Sequence, residues 1–258
     1  MDSIDLRFKG YASLVGEDKF SRVSSARVLI IGLGGVGTWT VESLARSGVG
    51  TIALVDLDDI CVSNTNRQVH AHEGNYGKFK IDALEERIKL INPDCKVIKH
   101  HCFFNQKNVD EIFSNQYDVV VDAMDSVSDK SLLINTCYIR EIPVICAGGA
   151  GGKVDPRAIE IQELGKTKND MLLKNVRKKL RKDYRFPIGR ARAKVQCVYS
   201  HELGKQFEVC EVERSTVKLD CEGGLGSAAH ITGIFGLMLS SLALEICLKE
   251  EDQTKIST

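Results

Sequence analysis

The stretch VLIIGLGGVGTWTVESLARSG, residues 28–48, sets Gly32, Gly34 and Gly37 as G-x-G-x-x-G between a β-branched run and a helical pattern. A strand that turns straight into a helix through glycines brings backbone N–H groups close to a bound phosphate at the helix N-terminus. Few folds accommodate that turn, and the rest of the chain shows which one applies. TIALVDLDD is a second apolar run, KIDALEERIKLINP a helix ended near Pro93, and KVIKHHCF a third strand. A helix around NVDEIF, the strand YDVVVDAM, a helix around KSLLINTCYIRE and the strands PVICAGGAGG and IEIQEL follow, with a turn at VDPRA. Strands and helices that alternate in this way predict an α/β fold: a Rossmann-like, doubly wound, mainly parallel sheet. The unit is complete near residue 165.

Beyond that point the composition changes. Residues 166–194 hold twelve Lys or Arg against two Asp, in a chain whose 35 basic and 35 acidic residues otherwise cancel. Residues 228–244, AAHITGIFGLMLSSLAL, contain no charged residue. They are slightly short for a membrane span, and Gly233 and Gly236 favour close helix packing, so a core or dimer helix is expected before membrane contact. The division predicted is 1–165 as the nucleotide-binding unit. Residues 166–258 then form a basic helical segment and a C-terminal helix packed on the same domain. The start of the chain carries no export signal. Nine scattered cysteines, an odd number without any C-x-x-C pair, predict a reducing, intracellular and cytoplasmic setting and no structural zinc site.

The glycine loop does not choose the nucleotide. Asp56 ends the second strand, where an acid accepts hydrogen bonds from ribose in NAD enzymes and in other users of this fold. Downstream lie Asp58, Asn66, Arg67 and Lys80. A dehydrogenase leaves its cofactor's phosphates intact and needs no such cations, whereas nucleotidyl transfer must offset charge on the α-phosphate and on departing pyrophosphate. Arg67 can grip phosphate through two donors and Lys80 can act as a point charge; on a solvated loop both would be surface charges. Asp122 and Asp125 end the strand VVVDAM. Asp125 is placed either to hold Mg²⁺ with nucleotide phosphates or to cap the next helix.

Taken together, G-x-G-G-V-G, V-D-x-D, N-x-N-R-Q, a lysine after a glycine and D-A-x-D-S resemble the ATP-binding module of the ubiquitin-activating-enzyme superfamily. Within it, RFKGYASLVGED, NTNRQVHA, ERIKLINPDC, AGGAGGKVDP and LDCEGGLGSAAHITGIFG resemble the tRNA threonylcarbamoyladenosine dehydratases over nearly the whole chain. The resemblance implies ATP-dependent activation of the modified adenosine's carboxylate beside the tRNA anticodon, then cyclisation, with AMP and pyrophosphate as by-products. It implies ATP and Mg²⁺ as cofactors, a homodimer, and a sulfur-relay protein partner. By matched motifs, Gly32, Gly34, Gly35 and Gly37 line the ATP site with Asp56 on ribose. Asp58, Asn66, Arg67 and Lys80 surround the phosphates, and Asp125 stands at the metal and the reaction centre.

The alternative in the same chemical class is an adenylyltransferase that activates the C-terminus of a sulfur-carrier or ubiquitin-like protein; the missing C-x-x-C pairs count against it. A nucleotide-gated RNA-binding protein without turnover and an NAD dehydrogenase fit the polar set less well. Relatives carry an N-terminal arginine that reaches the partner subunit's ATP; Gly10 stands at the matching place, with Arg7 nearby.

The basic segment supplies Lys178, Lys179, Arg181, Lys182, Arg190 and Arg192 for RNA phosphates, with Tyr184 and Phe186 to stack on an exposed base. As a solvated amphipathic helix it would serve packing as well. Cys221 precedes glycines and a helix start, a setting for either a reactive thiol or packing. His70 is a candidate base for ring closure.

Overall fold

The computed structural model describes residues 4–190, 193–203 and 226–249. Two short helices, α1 (Lys9–Val15) and α2 (Glu17–Ser25), precede the sheet. There follow β1 (Arg27–Ile31), α3 (Gly35–Arg46), β2 (Thr51–Asp56), α4 (Lys80–Ile91), β3 (Lys96–His101), α5 (Val109–Ile112), β4 (Val119–Asp122), α6 (Val127–Ile139) and β5 (Val144–Ala147). The chain ends with β6 (Ile159–Glu163), α7 (Met171–Tyr184), β7 (Gln196–Ser200) and α8 (Ala229–Leu248). The sheet order is β3-β2-β1-β4-β5-β7-β6, with every pair parallel except β6 with β7. The chain winds outward from β1 through β2 to β3, then returns to β4 on the other side of β1. Their carboxyl ends form the switch point at which open α/β sheets collect ligands.

Alternation along β1 divides the core. Val28 and Ile30 face the layer that contains α3, α4 and α8, whereas Leu29 and Ile31 face α6 and α7. Strands buried on both faces have no polar side to show, which is why they read as continuous apolar runs.

The strand β7 lies past residue 165, beyond the predicted end of the parallel unit, yet it pairs with β5 on one side and β6 on the other. The run VQCVYS follows the basic helix and carries no hairpin turn, so only the pairing of distant strands reveals its place.

The helix α7 buries Leu173, Val176 and Leu180 at helical spacing and leaves Lys174, Lys178, Arg181 and Lys182 exposed, whereas Arg177 turns back to donate to the Leu164 carbonyl and Thr167 Oγ1. Asp170 caps it, accepting from the Leu173 amide at 2.8 Å, and its other oxygen accepts from Gly149 at 2.8 Å.

The apolar helix α8 is long enough to cross a membrane by length and composition. It packs instead against α3 as a core helix. Ile231, Phe235, Leu239 and Ala243 are fully buried. Thr40 donates to the Gly236 carbonyl at 3.2 Å, and Ser240 to Ser43 Oγ at 2.5 Å. A Cβ at Gly236 would stand 2.6 Å from both the Trp39 Cβ and the Val36 carbonyl oxygen. A Gly236→Val variant is therefore expected to lose about 2 kcal/mol or more of stability, read as a lowered thermal midpoint.

Candidate active site at the sheet switch point

The turn between β1 and α3 closes on contacts that no side chain could share. Gly32 has φ of 89°, and a Cβ there would stand 2.9 Å from the Ala123 carbonyl group. At Gly37 a Cβ would stand 1.9 Å from the Gly32 carbonyl oxygen. Gly34 forms the N-cap position of α3 with open space where a Cβ would stand and no side chain capping the helix, so the first amides, which have no intrahelical partner, are left for a ligand. Gly35 packs against Thr232 of α8 and the Arg67 stem.

Asp56 is buried at the end of β2. One carboxylate oxygen accepts from the Leu33 amide at 2.6 Å, and the other from the Asp58 amide at 2.8 Å. It thus holds the glycine loop and the following loop together, and each oxygen retains a lone pair for a ligand hydroxyl. Lys80, the first residue of α4, donates to Asp58 Oδ2 at 2.6 Å; its side chain is buried while that of Asp58 is half exposed. Arg67 donates to the Ser63 carbonyl at 2.8 Å and to Asn66 Oδ1 at 3.0 Å. The Arg67 carbonyl accepts from Trp39 Nε1 and Thr232 Oγ1, and Asn66 donates to the Ser227 carbonyl at 2.9 Å. The N-x-N-R-Q loop is thereby tied to α3 and to the chain just before α8.

Asp125 lies three residues past the end of β4, exposed and without a hydrogen bond or ion pair to another described residue. The cap of α6 is Ser126, whose hydroxyl accepts from the Asp129 amide. Asp125 is not the cap, so its carboxylate points to no structural task. Behind it, Asp122 and Lys130 form an ion pair at 2.9 Å with both side chains fully buried. Burial alone would lower the Lys130 pKa, but the adjacent Asp122 carboxylate holds it above the ordinary value. Nothing in SVSDKSLL distinguishes the buried cation Lys130 from a surface one, so only the fold reveals it.

Other expected residues stand apart from this cluster. On α7, Lys178, Arg181 and Lys182 are exposed along a shallow basic depression of about 680 Å³ that also includes Met171 and Lys174. Lys179 pairs with Asp183 at 2.8 Å. Arg190 is exposed in a turn; Arg192 and Cys221 lie outside the described residues. The expected base-stacking role of Phe186 is corrected: the ring is buried and packs edge-on against Tyr138, with centroids 5.0 Å apart. Tyr184 is also partly packed into that cluster. Arg7 pairs with Asp5 of its own chain at 2.5 Å. Among the described residues, no cluster of three His, Cys, Asp or Glu is placed to hold a metal.

The model of the ThiF family matches residues 9–258. The chain belongs to the ThiF family. This ThiF-family chain is 40% identical over 252 residues to a tRNA threonylcarbamoyladenosine dehydratase of Haemophilus influenzae, with 97% of each chain covered. It is 39% identical over 247 residues to the Escherichia coli tRNA threonylcarbamoyladenosine dehydratase, with 93% of this chain and 92% of that one covered. Among solved structures, the E. coli tRNA N6-threonylcarbamoyladenosine dehydratase in complex with ATP superposes with a TM-score of 0.83. That match is 38% identical and covers 96% of each chain.

His70 is fully buried, and among the described residues neither ring nitrogen has a hydrogen-bond partner. Burial, helped by Lys80, His72 and Arg87, pushes its pKa down to about 3. A neutral, enclosed imidazole cannot reach a substrate as a base, which corrects that expectation. Its depressed pKa means that the unfolded chain binds the proton first. The stability from the neutral ring is therefore complete above about pH 6.5 and is lost as pH falls toward 3. That loss amounts to about 2 kcal/mol at pH 5. Denaturant unfolding of the parent and of His70→Phe at pH 7 and pH 5 checks this: the variant's stability should depend less on pH by about that amount.

Proposed function

We propose that this chain is an ATP-dependent tRNA-modifying enzyme that closes threonylcarbamoyladenosine, beside the anticodon, into a cyclic form. The observation that carries the reading is the likeness, over nearly the whole chain, to two dehydratases of that name and to the ATP-bound E. coli structure.

The site chemistry suits the reaction. A carboxylate oxygen of the substrate attacks the α-phosphorus of ATP, and the bond to pyrophosphate breaks. A substrate nitrogen or oxygen then attacks the acyl carbon, AMP leaves with the former carboxylate oxygen, and the nucleophile's proton passes to solvent. The uncapped amides at Gly34 and Gly35, with Gly32 and Gly37 allowing their approach, hold phosphate. Asp56 accepts from ribose hydroxyls. Arg67 and Lys80 offset the charge that builds on pyrophosphate, Asn66 orients Arg67, and Asp58 orients Lys80. Asp125, exposed and unpaired, fits Mg²⁺, which takes one or two carboxylates together with phosphate oxygens; bound there, the ion would neutralise phosphate charge.

The tRNA is held by Lys178, Arg181 and Lys182 of α7, with Arg190 beyond its end. Lys179, paired with Asp183, contributes less. Two copies pair through the outer stripe of α8, where Ile234 and Met238 are partly exposed and Leu237 is half exposed. A reducing, cytoplasmic setting suits Cys95, Cys102, Cys137, Cys146, Cys197 and Cys247, none of which forms a disulfide.

Incubation with ATP, Mg²⁺ and tRNA bearing threonylcarbamoyladenosine should release AMP and give a nucleoside lighter by one water. With both carboxylate oxygens of the substrate labelled with ¹⁸O, one should appear in AMP and the other remain in the tRNA; AMP without label, or AMP released only with a carrier protein, would refute the reading. Neutralising Lys178, Arg181 and Lys182 together should lower the slope of log affinity for tRNA against log salt by about 2 to 3, with ATP affinity unchanged.

A further inference from the structure

Resting on the reading of Asp125 as part of the reaction centre, we infer that the buried Lys130–Asp122 pair is a positioning device that fixes the loop carrying Asp125 at the switch point.

The chain enters this loop from β4. Asp122, its last residue, is in register with Ile31, and the Ala123 amide donates to the Ile31 carbonyl at 2.9 Å. From Met124 onward no strand ladder holds the backbone. Instead the Met124 amide donates to Asp122 Oδ1 at 3.1 Å, and Lys130 Nζ stands 2.9 Å from that same oxygen. One carboxylate oxygen thus meets the loop on one side and α6 on the other. Asp125 lies between the two anchors, one residue past Met124 and one before the Ser126 cap.

The glycine loop is registered by the same segment, since the Ala123 carbonyl group fills the space in which a Gly32 Cβ would stand. A displacement of Ala123 or Met124 would therefore move the phosphate cradle and Asp125 relative to each other.

Energetics favour a task other than stability. A fully buried ion pair loses hydration on both charges, and replacement by apolar side chains of similar volume is often neutral or stabilising. Both side chains here have no exposure. Asp122 Oδ2 has no hydrogen-bond partner, so the pair is not part of a saturated polar network either. A lysine in this position does specify one arrangement of the loop, because alternatives would leave a charge alone in the core. The ion-pair partner of Lys130 among the described residues is Asp122, and Lys130 acts through it.

The test replaces the pair by the apolar combination Asp122→Leu with Lys130→Met. Turnover is measured as AMP release with modified tRNA, alongside ATP binding, thermal unfolding and a cycle with Asp125→Ala. Positioning predicts a thermal midpoint at or above the parent's, ATP affinity within about threefold, and kcat lower by about tenfold or more. It also predicts non-additivity: in an Asp125→Ala background the apolar pair should lower kcat no further than about twofold. Parent turnover in the apolar pair, or losses that multiply with Asp125→Ala, would overturn the inference. Parent turnover in Asp125→Ala alone would instead remove the reading of the site on which it rests. Should the apolar pair not fold, Lys130→Met alone carries the test, and a folded, fully active Lys130→Met enzyme refutes it.

Discussion

A Cβ at residue 37 would sit 1.9 Å from the carbonyl oxygen of Gly32, and this close approach of two glycines orders the functional edge. It lets α3 begin directly above the end of β1, so the unpaired amides of the first helical turn open at the switch point between β1 and β4. The surrounding parts attach to that turn. Asp56 takes the Leu33 amide, Ala123 packs under Gly32, and Arg67 and Thr232 close over Gly35. Residues distant in sequence become neighbours because each meets the same short piece of backbone.

Charges in this molecule divide by solvation. Lys178, Arg181 and Lys182 of α7 sit in water, where each contributes little to stability and keeps its freedom to meet a polyanion. Lys80 is an intermediate case, its stem enclosed and its ammonium held by an exposed Asp58 that an incoming phosphate can replace or supplement. Lys130 and His70 are the enclosed extremes. One keeps its charge because a carboxylate lies 2.9 Å away, and the other gives up its charge because burial and nearby cations oppose protonation. Two buried basic side chains thus behave oppositely, decided by what packs around them.

Much of the fold was legible because its signals are local. The β-branched runs at 27–31, 51–56 and 119–122, the glycine spacing and the helix end near Pro93 all lie within a few residues of what they specify. Asp56, Arg67, Lys80 and Asp125 could be named from spacing after the glycine loop. Strand β7 could not be placed, because its identity comes from pairing with β5 and β6 rather than from its own five residues. Phe186 read as an exposed aromatic in a basic segment, but the αL turn at Arg185 sends it back under Tyr138. Lys130 and Thr232 carried no signal, since burial of a cation and a hydroxyl on a distant carbonyl are properties of packing.

The sequence by itself determined the class of fold, the phosphate-binding turn and the residue types available for phosphate chemistry, because backbone freedom at glycine and apolar periodicity act at short range. Only the tertiary structure decided which of those residues have a free hand. Ser126 takes the helix cap and leaves Asp125 unpaired, Asp56 spends one lone pair of each oxygen on the loop it supports, and His70 is sealed away from any substrate. The physical reason is that hydrogen-bond competition and desolvation depend on neighbours brought in from elsewhere in the chain, which local sequence does not encode.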